Sequence, residues 1–392
     1  MTDITVLSRG LSVPKGFGDA SLVAAPPGAI RLLGGIPAPE ALPVEDFGRA
    51  SAALWEDRPA AVAGLQYSQT PGFAALRSWI AAREGVDPRR IVITNGGMHG
   101  LSLAVLTVVE RGATVAVDDP VFPLFLRALE VSTTATLPVP VVGDGFDVEY
   151  LAARLAAGER IAAAYTVPDF HNPSQVTLPA DKRRALVELA ERYGFYVIAD
   201  NPYRELRFAG EDQGHAVFND SDRAIHVNTF TKTLGPGWRL GWLVLPEHLV
   251  DPVVRLRNRG DSHSPTVTQT IVENLVTQDG WFDGVVKAAN DLYRERAQVL
   301  VDALHEELPG AFGTQVPEGG LFLWPRLRDD SLDAAALYER AAAAGVVYQQ
   351  GAHFAASPQQ ESARHLRFAF GDRTPDELRE AARRLAQAFH GA

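Results

Sequence analysis

VNTFTKTLGPGWRLGW, residues 227–242, is the stretch that decides the fold. A β-like run, AIHVNTF, leads into two short hydroxyl residues, Thr229 and Thr231, and then into a single lysine, Lys232. Gly235, Pro236 and Gly237 make a turn, Arg239 follows, and a second apolar run, LGWLVLP, begins directly after it. Lys232 therefore stands at a strand end among hydroxyls, with an arginine seven positions on. Thr229, Thr231 and Arg239 are suited to neutralise and orient a phosphate dianion, and an amine held among them suits a carbonyl compound with a phosphate tail. A surface lysine beside a glycine turn has the same local sequence. The rest of the chain separates the two.

Upstream, short apolar runs alternate with helical spacing. LQYSQTPG, from Leu65, reads as a loop, and residues 73–83 carry the apolar spacing of a helix. IVIT at 91–94 is a short buried strand; Asn95, Gly96 and Gly97 follow, and a helix over 98–109 is closed by Gly112. A strand, a glycine pair and a helix start aim free N–H groups at an anion, although a tight connection is the commoner use of such glycines. TVAV at 114–117 is a strand, a helix opens past Pro120, and 148–157 is helical. IAAAYTVP at 161–168 is strand-like, 179–193 is a helix ended by Gly194, and FYVIAD at 195–200 is a strand finishing on a carboxylate. This rhythm predicts an α/β fold with a largely parallel sheet covered on both faces. Ligand groups in such sheets gather at the carboxyl ends of strands, and Gly96, Asn172, Asp200 and Lys232 all fall just past such ends.

Beyond Pro246 the pattern turns helical, with a long stretch over 281–308. A strand candidate from Gly319 (GGLFLWPRL), a helix over 333–344, a strand over 365–370 (HLRFAF) and an amphipathic helix over 375–389 predict a smaller α+β lobe. Residues 1–45, rich in glycine and proline, read as an ordered arm packing with that lobe. The expected organisation is an arm over 1–45, a large domain over 46–283 and a small domain over 284–392. A chain of 392 residues with 46% apolar content supports two such cores. Its net charge of −11 opposes a nucleic-acid or anionic-membrane surface. The absence of cysteine excludes disulfides, thiolate catalysis and cysteine-ligated metals, and no metal site is expected. No apolar run approaches the roughly 20 residues of a membrane-spanning helix, and the first residues lack the pattern of a secretory signal. A soluble cytoplasmic enzyme is the expectation.

With these residues in place, the chain resembles the fold-type I pyridoxal-phosphate enzymes of the class I/II aminotransferase family. The α-aminoadipate, kynurenine and branched-chain/aromatic aminotransferase branch is nearest. The similarity runs from about Gly34 to the C-terminus. It implies an aspartate aminotransferase-like fold: a large, cofactor-binding lobe with a mostly parallel mixed sheet flanked by helices, and a smaller α+β lobe. The run from Thr229 to Arg239 resembles the family's Ser-x-Ser-Lys-x-x-x-Pro-Gly-x-Arg, which makes Lys232 the lysine that forms the Schiff base with pyridoxal 5'-phosphate. Asp200 and Tyr203, in ADNPY, match Asp-x-x-Tyr, with Asp200 against the pyridine nitrogen. Tyr203 and Asn172 (in PDFHNPS) would hydrogen-bond the ring's phenolic oxygen. Gly97 and Met98 match the phosphate-binding turn, and Phe122 an aromatic that stacks on the ring. Tyr67 matches the tyrosine that reaches the phosphate of a neighbouring subunit, so the resemblance implies a homodimer. Arg367, in LRFAF, matches the arginine that grips the substrate α-carboxylate, and Gly35 the glycine whose backbone approaches it. Each residue also has an ordinary structural use: a cap or turn for Asp200 and Asn172, core packing for Phe122, a solvated strand edge for Arg367.

The sequence departs from the family pattern at several positions. Gly96-Gly97-Met98-His99 stands where the family has Gly-Ser-Gln-Gln, Gln175 replaces a glycine, Phe122 a tyrosine, and Gln350-Gly351 a Pro-Gly. The implied reaction moves an amino group from an L-α-amino acid to a 2-oxo acid. The same shell supports other pyridoxal-phosphate chemistry: elimination or replacement at Cβ or Cγ, decarboxylation, or oxidation. A regulatory protein that kept the fold is a third reading. An intact lysine and aspartate oppose it, and nothing ahead of Gly34 resembles a DNA-reading module. His99, His171 and His353 lie near motif residues and could face the pocket or serve as loop or core residues.

Overall fold

The computed structural model describes residues 4–12, 23, 25–132, 134–357 and 361–390. The parts of the expected arm at 1–3, 13–22 and 24 lie outside the described residues.

Among the described residues, twelve strands form two sheets. In chain order they are β1 Ile30–Leu32, β2 Ile91–Thr94, β3 Thr114–Asp119, β4 Ala135–Val142, β5 Gly145–Phe146, β6 Ala163–Thr166, β7 Tyr196–Asp200, β8 Ala224–Thr229, β9 Gly241–Val244, β10 Phe322–Leu323, β11 Val346–Gln350 and β12 Leu366–Ala369. The large sheet runs β2-β9-β8-β7-β6-β3-β4-β5 and the small one β1-β11-β12-β10. β4, β3, β6, β7 and β8 are mutually parallel. β9 lies antiparallel between β8 and β2 because the Gly-Pro-Gly turn doubles the chain back beside the strand it has just left. The quoted stretch is thus a hairpin with Lys232 in its connection, in the turn Phe230–Lys232.

Strand alternation sorts the large sheet's side chains into two cores. Val115, Val117, Tyr165, Ile198 and Val227 face one side, packed with Leu101, Val105 and Phe125. Ala116, Ala164, Val197 and Ala199 face the other, packed with Leu151, Leu155, Leu186 and Val187. Helices therefore cover both faces, and the 27-residue helix Trp281–Glu307 carries the chain toward the small sheet.

Several elements differ from the reading of the sequence. Helices Val44–Glu56 and Arg58–Gly64 precede the loop at Leu65 and show no helix in the sequence reading. β4 was not expected, since ATLPVPVV contains Pro138 and Pro140. They are two residues apart, so both missing N–H groups face the same side of a strand whose outer neighbour is only the short β5. β1 pairs in parallel with β11, so part of the arm is a sheet strand. The expected strand in GGLFLWPRL shrinks to Phe322–Leu323, which pairs with β12. Among the described residues, no helix is long and apolar enough to cross a membrane.

Candidate active site

A cavity of about 420 Å³ lies between the two sheets, with walls from both lobes. Its large-lobe floor is built by the β8–β9 hairpin and the start of helix Gly97–Val108. Thr229 Oγ1 lies 2.8 Å from Thr231 Oγ1 and donates to Leu240 O at 2.9 Å, which ties the hydroxyl pair to the returning strand. Arg239 has φ +50° and donates from Nη2 to Asn95 O at 2.8 Å, lying over the turn that opens the helix. Gly96 takes φ +82°, a conformation that favours glycine, and a Cβ there would meet Arg239 Nη2 at 2.9 Å. Gly241 lets the hairpin touch that turn: a Cβ would sit 2.7 Å from Asn228 O, 2.9 Å from Gly96 C and 3.1 Å from Gly97 N. Free N–H groups at a helix start, two hydroxyls and an arginine thus line one end of the cavity.

Lys232 reaches across to the arm, its Nζ donating to Gly35 O at 2.6 Å and lying 5.6 Å from the Tyr203 ring centre. Burial and the Arg367 cation push its amine down to about 8, against the attraction of Asp200. Asp200 ends β7, is 4% exposed, and accepts from Tyr165 Oη at 2.9 Å. Burial pushes its carboxyl up to about 7, while the Tyr165 bond and Lys232 act to lower it. Tyr203 is buried beside it and receives a hydrogen bond from Asn172 Nδ2 at 3.3 Å. Burial raises the Tyr203 phenol, with Arg367 opposing.

The small sheet supplies the roof. Arg367 donates from Nη1 to Asn172 Oδ1 at 2.8 Å and from Nη2 to Leu33 O at 2.5 Å, so it touches the large lobe and the arm together. Its guanidinium lies 4.1 Å from the Phe322 ring centre, and burial pushes it down to about 10. Phe322 also explains Gly35, where a Cβ would come within 2.4 Å of Phe322 Cζ.

The cavity gathers Gly35, Gly97, Met98, Phe122, Asn172 and Asp200, together with Tyr203, Thr229, Thr231, Lys232, Arg239 and Arg367. Tyr67 stands apart: it is 92% exposed and packs edge-on against His263, 5.9 Å away. None of the three histidines lines the cavity. His99 Nδ1 accepts from Asn95 N–H at 3.0 Å, His171 lies 3.3 Å from Asp118, and His353 lies 3.3 Å from Gln349 Oε1. The cavity glutamine is Gln349 rather than Gln350, because β11 sets Gln349 opposite Arg367 and strand alternation turns its neighbour away. Sequence reasoning missed Gln349 and Tyr165. The parallel pairing of β6 with β7, which sets Tyr165 diagonal to Asp200, could have found Tyr165 only once the register was known.

The donor set fits pyridoxal phosphate: a phosphate cradle at one end, an amine of lowered basicity in the middle, and a buried acid on a facing wall. The fold around it is that of the fold-type I enzymes that use this cofactor. Within that class the chain belongs to the aminotransferase class I and II family, whose model matches residues 50–385. It is similar to the aromatic-amino-acid aminotransferase 1 of Thermococcus litoralis, at 31% identity over 372 residues, covering 92% of this chain and 88% of that one. It is likewise similar to the 2-aminoadipate transaminase of Thermus thermophilus, at 31% identity over 370 residues, covering 93% and 91%. The crystal structure of the α-aminoadipate aminotransferase LysN from Thermus thermophilus, complexed with N-(5'-phosphopyridoxyl)-L-leucine, superposes with a TM-score of 0.89 at 28% identity, covering 99% of this chain and 97% of that one. The protein is a pyridoxal-phosphate-dependent aminotransferase of this family, with the two-lobed fold that the sequence led us to expect.

Proposed function

We propose that this cavity transfers the amino group of an L-α-amino acid to a 2-oxo acid, with Lys232, Asp200 and Tyr203 as its catalytic residues. Pyridoxal phosphate, when bound, supplies an aldehyde that takes up the amino group and a ring that accepts the electron pair left at Cα. Gly97 and Met98 at the helix start, Thr229, Thr231 and Arg239 would hold its phosphate, Phe122 would cover the ring, and Asp200 would face its nitrogen. Asn172 and Tyr203 would take the phenolic oxygen. Arg367 would grip the substrate carboxylate beside Gly35 and Asn172, which orients the Cα–H bond. Lys232 Nζ would remove the Cα proton and return one at the end of the transfer, acting as base and then as acid.

The observation that carries this reading is the gathering of Lys232, the buried Asp200 and the buried Arg367 in one cavity. The same reading includes a homodimer with Tyr67 reaching the partner's phosphate, a cytoplasmic location, and the division into arm, large domain and small domain. The exposed Tyr67, and the exposed Leu65, Val62 and Trp55 on the same segment, support the dimer. The test mixes purified, cofactor-loaded protein with amino acids and follows the absorbance of the bound cofactor, with and without a 2-oxo acid. Transfer requires the oxo acid for turnover and liberates no ammonia. Steady ammonia release without an acceptor would instead indicate elimination or oxidation.

A further inference from the structure

Asp200 is held by groups that the transfer itself does not use. Tyr165, on β6, pairs in register with Ile198 of β7, which makes it the diagonal neighbour of Asp200 on one face of the sheet. Its hydroxyl donates to Asp200 Oδ2 at 2.9 Å. The ring is fully buried and lies flat on Phe125, with centroids 3.6 Å apart and planes 8° apart. Phe125 is one turn on from the cavity residue Phe122, and its N–H donates to Phe122 O at 3.0 Å. One turn of helix therefore carries a wall of the cavity and the clamp on Tyr165. The neighbouring buried acid, Asp118, is engaged by other groups. It accepts from Thr166 Oγ1 at 3.0 Å and Val167 N–H at 3.1 Å, and lies 3.3 Å from His171 Nε2. Among the described residues the Tyr165 bond is the one hydrogen bond to the Asp200 side chain, and Asp200 lines the cavity.

We propose that Tyr165 is the positioning residue for the cofactor's ring nitrogen: its clamped hydroxyl pins one oxygen of Asp200 so that the other faces that nitrogen. The inference rests on the reading of this cavity as a pyridoxal-phosphate site. A carboxylate held at one oxygen keeps its plane, and a hydrogen bond to the charged form favours that form in a buried setting.

Tyr165→Phe keeps the ring and the stack and deletes the bond. Spectral titration compares binding of pyridoxal phosphate with binding of its analogue carrying a C–H in place of the ring nitrogen, in the wild type and the variant, with thermal unfolding as the control for folding. The variant is expected to weaken pyridoxal phosphate about tenfold while leaving the analogue within about twofold. Equal weakening of both ligands, or of neither, overturns the inference. Should Tyr165→Phe fail to fold, Phe125→Leu loosens the clamp with the hydroxyl in place. A smaller loss of the same selectivity then supports the proposal, and an undiminished preference overturns it. A wild-type protein that binds neither ligand overturns the underlying reading of the site, and this inference falls with it.

Discussion

Lys232 and Asp200 are shifted toward each other in proton affinity, one to about 8 and the other to about 7, and burial is the first cause of both shifts. An amine near 8 is neutral in a useful fraction of molecules at mildly alkaline pH, which a proton acceptor requires. Lys232→Ala should slow the half-reaction by about a thousandfold or more, read as the rate of cofactor absorbance change after an amino acid is added. Asp200 also makes a claim on stability. Its folded value, about 7, lies above the ordinary 3.8, so the folded, cofactor-stripped protein holds a proton that the unfolded chain has lost. The stabilisation is fully present below about pH 4 and is lost as pH rises through 7. Lys232 titrates above this window. The melting temperature of Asp200→Asn should therefore gain on that of the stripped wild type between pH 4 and pH 7, and a gap that stays constant would refute the assignment.

At the scale of elements, the β8–β9 hairpin brings the lysine together with Thr229, Thr231 and Arg239, the groups proposed to hold the phosphate, and Gly241 lets it close. The atoms a Cβ would meet there are all backbone and cannot turn aside. Gly241→Ala should destabilise the protein by about 1–3 kcal/mol and weaken pyridoxal phosphate binding, measured by thermal unfolding and spectral titration. Behind the hairpin a buried acid joins three elements. Glu84, at the end of helix Ala74–Glu84, takes both Arg204 nitrogens at 3.0 and 3.1 Å and Trp242 Nε1–H of β9 at 2.9 Å. Burial alone would raise its carboxyl, but Arg204 and His226 hold it well below the usual range. Arg204 follows directly on Tyr203, so this pair braces the loop that leaves Asp200. Glu84→Ala leaves the Arg204 charge buried without this partner and should cost about 3–5 kcal/mol in a denaturant or thermal measurement.

Across the whole molecule, Arg367 is where small sheet, arm and large lobe meet. Arg367→Lys loses the fork that serves Leu33, Asn172 and a carboxylate at once. The Michaelis constant for amino acid should rise about tenfold or more, while pyridoxal phosphate affinity changes little, as initial rates and a cofactor titration would show. If the proposed dimer holds, sedimentation will give twice the 42.3 kDa chain mass, and Tyr67→Phe will weaken the cofactor without dissociating the dimer.

The lysine hairpin, the glycine turn before a helix and the acid at a strand end were legible in the sequence because each is written in a few consecutive residues. Lys232, Gly97 and Asp200 duly come to one cavity. The strands β1, β4 and β11 were not legible: β1 is three residues at a sheet edge, β4 is interrupted by two prolines, and β11 ends in two glutamines and becomes a strand by pairing with β1 and β12. The residue at which Gln349 rather than Gln350 enters the cavity depends on register, because a shift by one reverses every side chain. Tyr165 and Asp200 stand 35 positions apart, and only the parallel pairing of β6 with β7 joins them. Local chemistry specified which groups the site contains; the sheet decided which of them touch, since contact between distant residues is a property of the packed chain.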